Sequence, residues 1–496
     1  MSTEPPLPLW IRLSSVYLIL PLLIFSAGWL RLWIAVPLLI SVAASLGSLI
    51  FSPGLKSELS ITPRDALLCF YIAAIAIGFA ILNGLINFVP QSPDYIKHNL
   101  LLGDLIEKPW PVRYESGQYL CYGIGYYIVP AALAKVTGIA SASVLGFIWA
   151  TAGLALFFFG LARFFNYRPI VGILVCILCS GLGAFWWFLV KSGHFEQLLT
   201  PAQGGPWLGE LLMDLGLYTS NLDSFTRTLY QPQHAISAWL GGIVMIELVR
   251  CGRWSESSVI LAATTFWSPI TSLGLAAICA AAWISNPKSL RLRPVLHIIA
   301  AAAIIATLAA YYLPHVPISE SGFIWQFSNG ISWLPWYLLF LLLFVAIPFS
   351  AILWIEMKHP YLGRLKPLVI GMVIILCLSP LYKFGHFGDM RMQLSAPAFL
   401  LLGIAMTLGI VRGPTQKSKI AYAYLCAVFL AGAIFPLLRT LENVTSGNSA
   451  DYQISTLRKN KLLHITDLRM PGFDVTSQYL GKADSHAAIW LLKPER

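Results

Sequence analysis

The sequence predicts an all-α polytopic membrane protein, and three observations predict it. Of the 496 residues, 57% are hydrophobic. Only 11% are charged, against about 25% in an ordinary soluble domain, so no water-soluble fold could cover the apolar surface. Stretches such as 66–86 and 144–162 run for about 20 residues without a central charge, enough for a helix to cross about 30 Å of hydrocarbon. These runs are continuously apolar rather than alternating, which argues against a barrel, and backbone groups in lipid must then pair within helices.

In chain order, spans are expected at 16–30, 32–51, 66–86, 144–162, 169–190, 235–249, 295–313, 336–355, 368–382, 394–411 and 420–438. Residues 16–30 lead into further spans with no small-residue cleavage site, so no cleaved leader is expected. The net charge of +11 is spread over short loops, where its partners are membrane lipids and the insertion machinery. Nucleic acid is not an expected partner. The eight cysteines carry no disulfide framework, and most are read as packing residues.

Two segments, 119–137 and 259–284, are settled by charge. Arg163 with Arg168, Arg250 with Arg253, Lys288 with Arg291 and Arg293, Lys358 with Arg364 and Lys366, and Arg412 with Lys417 and Lys419 form basic loops. All face the cytoplasm only if 119–137 does not cross and 259–284 enters and returns as a hairpin broken near Pro269. Gly123, Gly125, Pro130 and several tyrosines suit a juxtamembrane helix in the first segment. The expectation is thus about 11 transmembrane helices, a re-entrant hairpin and external juxtamembrane helices. The N-terminus is expected inside and the C-terminus outside, and Asp94, Asp104, Glu107, Glu115, Glu196, Glu210, Asp214, Asp223, Glu320 and Asp389 then all fall on the non-cytoplasmic face, where chemistry is expected. The chain divides into a two-span extension at 1–65, a catalytic core at 66–438 and a small external tail at 439–496. The core carries external loops at 89–143, 191–234, 314–335 and 383–393.

In the first of those loops, Ser92 suits an N-cap and Pro93 a first helical position. On the helix that follows, Asp94, His98, Leu101 and Leu105 make one stripe, so a carboxylate and an imidazole top an apolar face. Asp94 could take a proton from an acceptor hydroxyl or hold a cation, with His98 orienting it. Equally, Asp94 could simply favour the helix start and pair with Lys97 or His98. The turn from Lys383 through His386 and Asp389 to Arg391 concentrates cations at the bilayer edge and suits a lipid-linked phosphate, or else is a solvated turn in which Asp389 pairs Arg391. Asp223 and His234 flank a polar stretch where a helix re-enters lipid, and Glu320 lies beside Trp325, a pairing that suits a sugar as well as an interfacial belt. Asp94, His98 and Asp104 could supply ligands to a divalent metal, without a recognised metal spacing.

This arrangement resembles the GT-C superfamily of membrane glycosyltransferases, which includes protein mannosyltransferases and oligosaccharyltransferase catalytic subunits. Members look like this chain in having an aspartate in the first large external loop, then juxtamembrane helices, then a span ending in basic residues. Here these are Asp94, the segments 94–107 and 119–136, and the span ending at Arg163. In many members the acidic loop follows the first span; here it follows the third. The resemblance implies a GT-C-like fold in the cell envelope, in the plasma (inner) membrane. It further implies inverting transfer of a sugar from a polyprenyl-phosphate donor to a glycan, lipid or protein acceptor. Asp94 and His98 would be catalytic, and Lys97, Asp104, Asp223, His234, Glu320, Lys383, His386, Asp389 and Arg391 would bind substrate. A multi-span transporter or lipid flippase is the competing reading, because the break near Pro269 resembles the discontinuous helices of transporters.

Overall fold

The computed structural model describes residues 7–51, 62–85, 89–166, 168–183, 224–285, 295–315, 321–327, 331, 333–385, 389–445, 452–468 and 476–494. Among these, nine helices are long and apolar enough to cross a bilayer. The bundle opens with α1 (Leu9–Trp29), α2 (Leu32–Ile50) and α3 (Pro63–Leu82). The helix α4 (Tyr95–Glu107), a short strand β1 (Gln118–Leu120) and α5 (Ile128–Thr137) follow. At 10 residues α5 is about 15 Å long and too short to span, in keeping with the expectation for 119–137. Then come α6 (Ala142–Phe164), α7 (Pro169–Leu178), α8 (Ser224–Tyr230) and α9 (Pro232–Arg250).

The break near Pro269 is present. Helix α10 (Trp254–Trp267) ends at Ser268, which is extended, and α11 (Pro269–Ser285) begins at the proline. Proline disfavours a helical conformation in the residue before it, and it brings no amide to continue the ladder. Ser272 Oγ donates to Thr264 Oγ1 at 3.0 Å; in one continuous helix eight residues would separate them by about 12 Å. The two arms therefore fold back on each other. Gly123 and Gly125 lie against the tip of this hairpin, and a Cβ on Gly123 would stand 2.5 Å from the Trp267 carbonyl oxygen.

The remaining helices are α12 (Val295–Tyr312), α13 (Leu334–Lys358), α14 (Lys366–Leu378), α15 (Asp389–Leu394), α16 (Ala396–Arg412) and α17 (Lys419–Thr445). Strand β2 (Gly322–Phe323) pairs antiparallel with β3 (Tyr382–Lys383). Helix α18 (Ile454–Lys459), strand β4 (Leu480–Lys482) and α19 (His486–Leu491) close the chain.

The core is centred on α1 and α9. Helix α9 is buried along nearly its whole length, which explains how polar residues at its start are tolerated: they face protein, not lipid. Helix α1 packs against α6, α9 and α10, so the first N-terminal span is built into the bundle instead of extending it at the edge. Residues 452–468 and 476–494 likewise lie on the bundle, with β4 paired to β1 and Arg31 Nε donating to the Leu492 carbonyl at 3.0 Å. At the other end of the bundle the basic loops meet, where an Arg364 guanidinium nitrogen donates to the Arg250 carbonyl at 2.9 Å.

Helix α7 stops at Leu178, about 15 Å along its axis, and the next residues are held by carbonyls that neighbouring helices leave open. Pro436 inside α17 has no amide to offer Gly432, and the Ser180 hydroxyl donates to the Gly432 carbonyl at 2.8 Å. A π-helical turn at Leu341–Ala346 within α13 accompanies a bond from the Leu182 amide to the Leu343 carbonyl at 3.2 Å.

Candidate functional site

Helix α4 begins two residues later than its sequence suggests, at Tyr95 instead of Pro93. Ser92 does not cap it; its hydroxyl donates to the Leu229 carbonyl at 2.9 Å and ties this turn to α8. Asp94 is the residue before the helix, and its side chain pairs with Lys97 at 2.6 Å. The pair is not sealed, since the Asp94 side chain keeps 29% of its exposure. Burial works against the Lys97 ammonium, but Asp94, with the Tyr479 and Tyr122 hydroxyls, outweighs it and holds the group above the usual lysine range. Leu101 and Leu105 on the same stripe are fully buried, as the spacing requires of an inward face.

His98 is buried with both ring nitrogens engaged. Nε2 lies 2.9 Å from the Tyr230 carbonyl, which can only accept, so this nitrogen carries the proton. Nδ1 then accepts from the Tyr127 hydroxyl at 2.6 Å. Burial, helped by the Lys97 charge, lowers its pKa to about 4. The ring is thus a neutral strut joining α4 to the segment before α5 and to the end of α8.

A chain of polar side chains crosses the bundle beneath Asp94. His234 Nδ1 stands 2.8 Å from Ser268 Oγ at the hairpin tip, and its Nε2 stands 3.5 Å from the Tyr122 hydroxyl. Gln233 Nε2 donates to that same hydroxyl at 3.4 Å. On the other side Ser268 Oγ reaches Gln393 Oε1 at 3.3 Å, and Gln393 Nε2 donates to Asp389 Oδ1 at 3.2 Å. Asp389 shares an electrostatic field with Lys97, Asp94 and Arg391. Asp389, at the start of α15, therefore lies within electrostatic range of the turn at 94–98. No family model matches the chain, and no curated protein or solved structure matches it.

Other expected residues go elsewhere or lie apart. Asp104 is fully buried and accepts from the Tyr114 hydroxyl at 2.8 Å, from His464 Nδ1 at 2.6 Å and from the Ile465 amide at 3.0 Å, so it anchors the C-terminal segment. Burial raises its pKa against the pull of those donors. Lys383 sits in β3 with its ammonium 5.1 Å from the centre of the Phe327 ring. Arg391 is buried in α15 beside Asp389. Asp223, Glu320 and His386 lie outside the described residues. Asp94, His98 and Asp104 do not gather as metal ligands, because His98 and Asp104 already hold other partners. Among the described residues no three His, Cys, Asp or Glu side chains gather to hold a metal ion.

Sequence reasoning did not single out Tyr122, Ser268, Gln393 or Tyr479. Ser268 had a signal in its place just before Pro269, at the break where a side chain leaves the helical ladder. Tyr479 had none: it stands more than 350 residues from Tyr122 in the chain, and only the return of the last segment brings the two rings to a centroid distance of 4.9 Å.

Proposed function

We propose that this protein is a membrane glycosyltransferase of GT-C type. It moves a sugar from a polyprenyl-phosphate donor to an acceptor hydroxyl on the non-cytoplasmic face, with inversion. The observation that carries the reading is the placing of the Asp94–Lys97 pair within electrostatic range of Asp389, which the Gln393–Ser268–His234 chain ties to the hairpin tip. A partly exposed carboxylate paired with a lysine is the group that a hydroxyl acceptor needs.

In this mechanism Asp94 takes the acceptor proton as the acceptor oxygen bonds to the anomeric carbon. The bond from that carbon to the phosphate oxygen breaks, and its electron pair leaves on the lipid phosphate. Once Asp94 is protonated its hold on Lys97 weakens, and the ammonium is released toward the phosphate, where the new charge has developed. Arg391 reinforces the cationic side. His98 acts as a positioning residue, since its nitrogens hold Tyr127 and the Tyr230 carbonyl.

The test uses the full chain in nanodiscs with a polyprenyl-phosphate hexose, following release of polyprenyl phosphate. Asp94→Asn should lower the rate at least about 100-fold, the low end for general-base catalysis, with the thermal transition preserved. Undiminished release by that variant would remove Asp94 from the chemistry. The break at Ser268 favours a second reading as a transporter or flippase. Vesicles would then show solute or lipid movement that Asp94→Asn does not affect.

A further inference from the structure

The C-terminal segment is fastened on both sides of one residue. Before it, Asn99 Nδ2 donates to the Tyr452 carbonyl at 2.6 Å, and Asp104 holds His464 and the Ile465 amide. After it, Leu480–Lys482 pairs with Gln118–Leu120, and the Lys482 amide donates to the Pro314 carbonyl at 2.9 Å. Between these lies Tyr479, whose own carbonyl accepts from the Cys121 amide at 2.8 Å.

The Tyr479 side chain points where the backbone attachments have no need of it. Its ring meets Tyr122 edge-on at 66° and is buried, and its hydroxyl has no hydrogen bond to the protein among the described residues. That hydroxyl stands within electrostatic reach of Lys97, Asp94 and Asp389. Next to Tyr122, Gln233 is fully buried, and its Oε1 has no donor. A buried amide oxygen left without a donor is unfavourable, so this position calls for a ligand that donates. Two phenol rings and an acceptor amide suit a ring that carries hydroxyls on its edge and C–H groups on its face.

We propose that Tyr479, Tyr122 and Gln233 form a subsite for a neutral, hydroxyl-bearing ring, completed by the C-terminal segment. Resting on the transferase reading above, that ring is the sugar of the donor. Residues 476–482 then form one wall of the site, and Tyr479 is a binding residue.

The experiment titrates the full chain in nanodiscs with farnesyl phosphate and with farnesyl phosphates carrying glucose, mannose, galactose or N-acetylglucosamine, read by calorimetry. Wild-type protein should bind at least one glycosylated lipid about tenfold more tightly than farnesyl phosphate. Gln233→Leu should weaken that binding about fivefold, the worth of one neutral hydrogen bond, and leave farnesyl phosphate within about twofold. Tyr479→Phe should act in the same way through the hydroxyl alone, which keeps the test sound if a larger truncation at that position unfolds the protein. Equal weakening for both kinds of lipid, or none, would overturn the subsite while leaving the transferase reading standing. A wild-type protein that prefers no sugar in the set would overturn both.

Discussion

Acid should loosen the joint that His98 makes, and the structure sets the size of the effect. In the folded protein His98 is neutral, donating to the Tyr230 carbonyl and accepting from Tyr127, and its pKa is lowered from 6.5 to about 4. In the unfolded chain it titrates near its ordinary value. Between those limits the unfolded state binds the extra proton, so stability is fully present above pH 6.5 and is lost as pH falls toward 4. At roughly 1.4 kcal/mol per pH unit, the loss is about 3 kcal/mol. Protonation also forces a second proton onto Nδ1, where Tyr127 must turn from donor to acceptor. The assay is denaturant unfolding in detergent, followed by tryptophan fluorescence from pH 7.5 to 4, for wild type and His98→Gln. The glutamine amide can still donate to Tyr230 but does not titrate. His297 is buried in both proteins and has no electrostatic link to His98, so its part cancels in the difference, whereas His234 feels the His98 charge and its coupling belongs to the measured effect. A difference curve flat across this range would refute the assignment of a neutral, doubly bonded ring.

Two further substitutions probe the frame around the site. Asp104→Ala should destabilise the protein by about 3 kcal/mol, since it leaves the Tyr114 hydroxyl, His464 and the Ile465 amide without their shared acceptor. Amide exchange should then quicken at 463–468 before it does in the spans, and unchanged protection there would count against the anchor. Gly123→Ala should cost about 1–3 kcal/mol, because its Cβ would meet the backbone oxygen of Trp267 at 2.5 Å. Gly146→Ala, in a helix with nothing within 4 Å of the new carbon, is the control and should be neutral or mildly stabilising. Equal effects at the two glycines would show that the close approach at the hairpin tip is not limiting.

Much of the architecture was legible in single stretches of sequence. The break at Ser268–Pro269 followed from what proline does to its own amide and to the residue before it, and the short helix at Ile128–Thr137 lies in the segment that loop charge, Gly123, Gly125 and Pro130 marked as interfacial or re-entrant. The stripe of Asp94, His98, Leu101 and Leu105 followed from helical spacing alone. Two sequence readings of Asp94 were open, and the structure contains the ion pair with Lys97 while leaving the carboxylate partly exposed at a shared cluster. For His98 the spacing could supply a position but not the two partners that hold both nitrogens.

What the sequence determined by itself is that the backbone must form apolar helices, because lipid offers no partner for an open amide or carbonyl. That constraint acts locally, so it can be read locally. Which side chains face one another was decided only by tertiary packing. A helix such as Pro232–Arg250 is buried on nearly all sides, so its pattern does not mark the face that carries Gln233 and His234. Tyr479 reaches Tyr122 only because the last segment pairs with Gln118–Leu120 across hundreds of residues. Contacts between distant segments follow from the shape of the whole bundle, and shape is a property that no single stretch of residues holds.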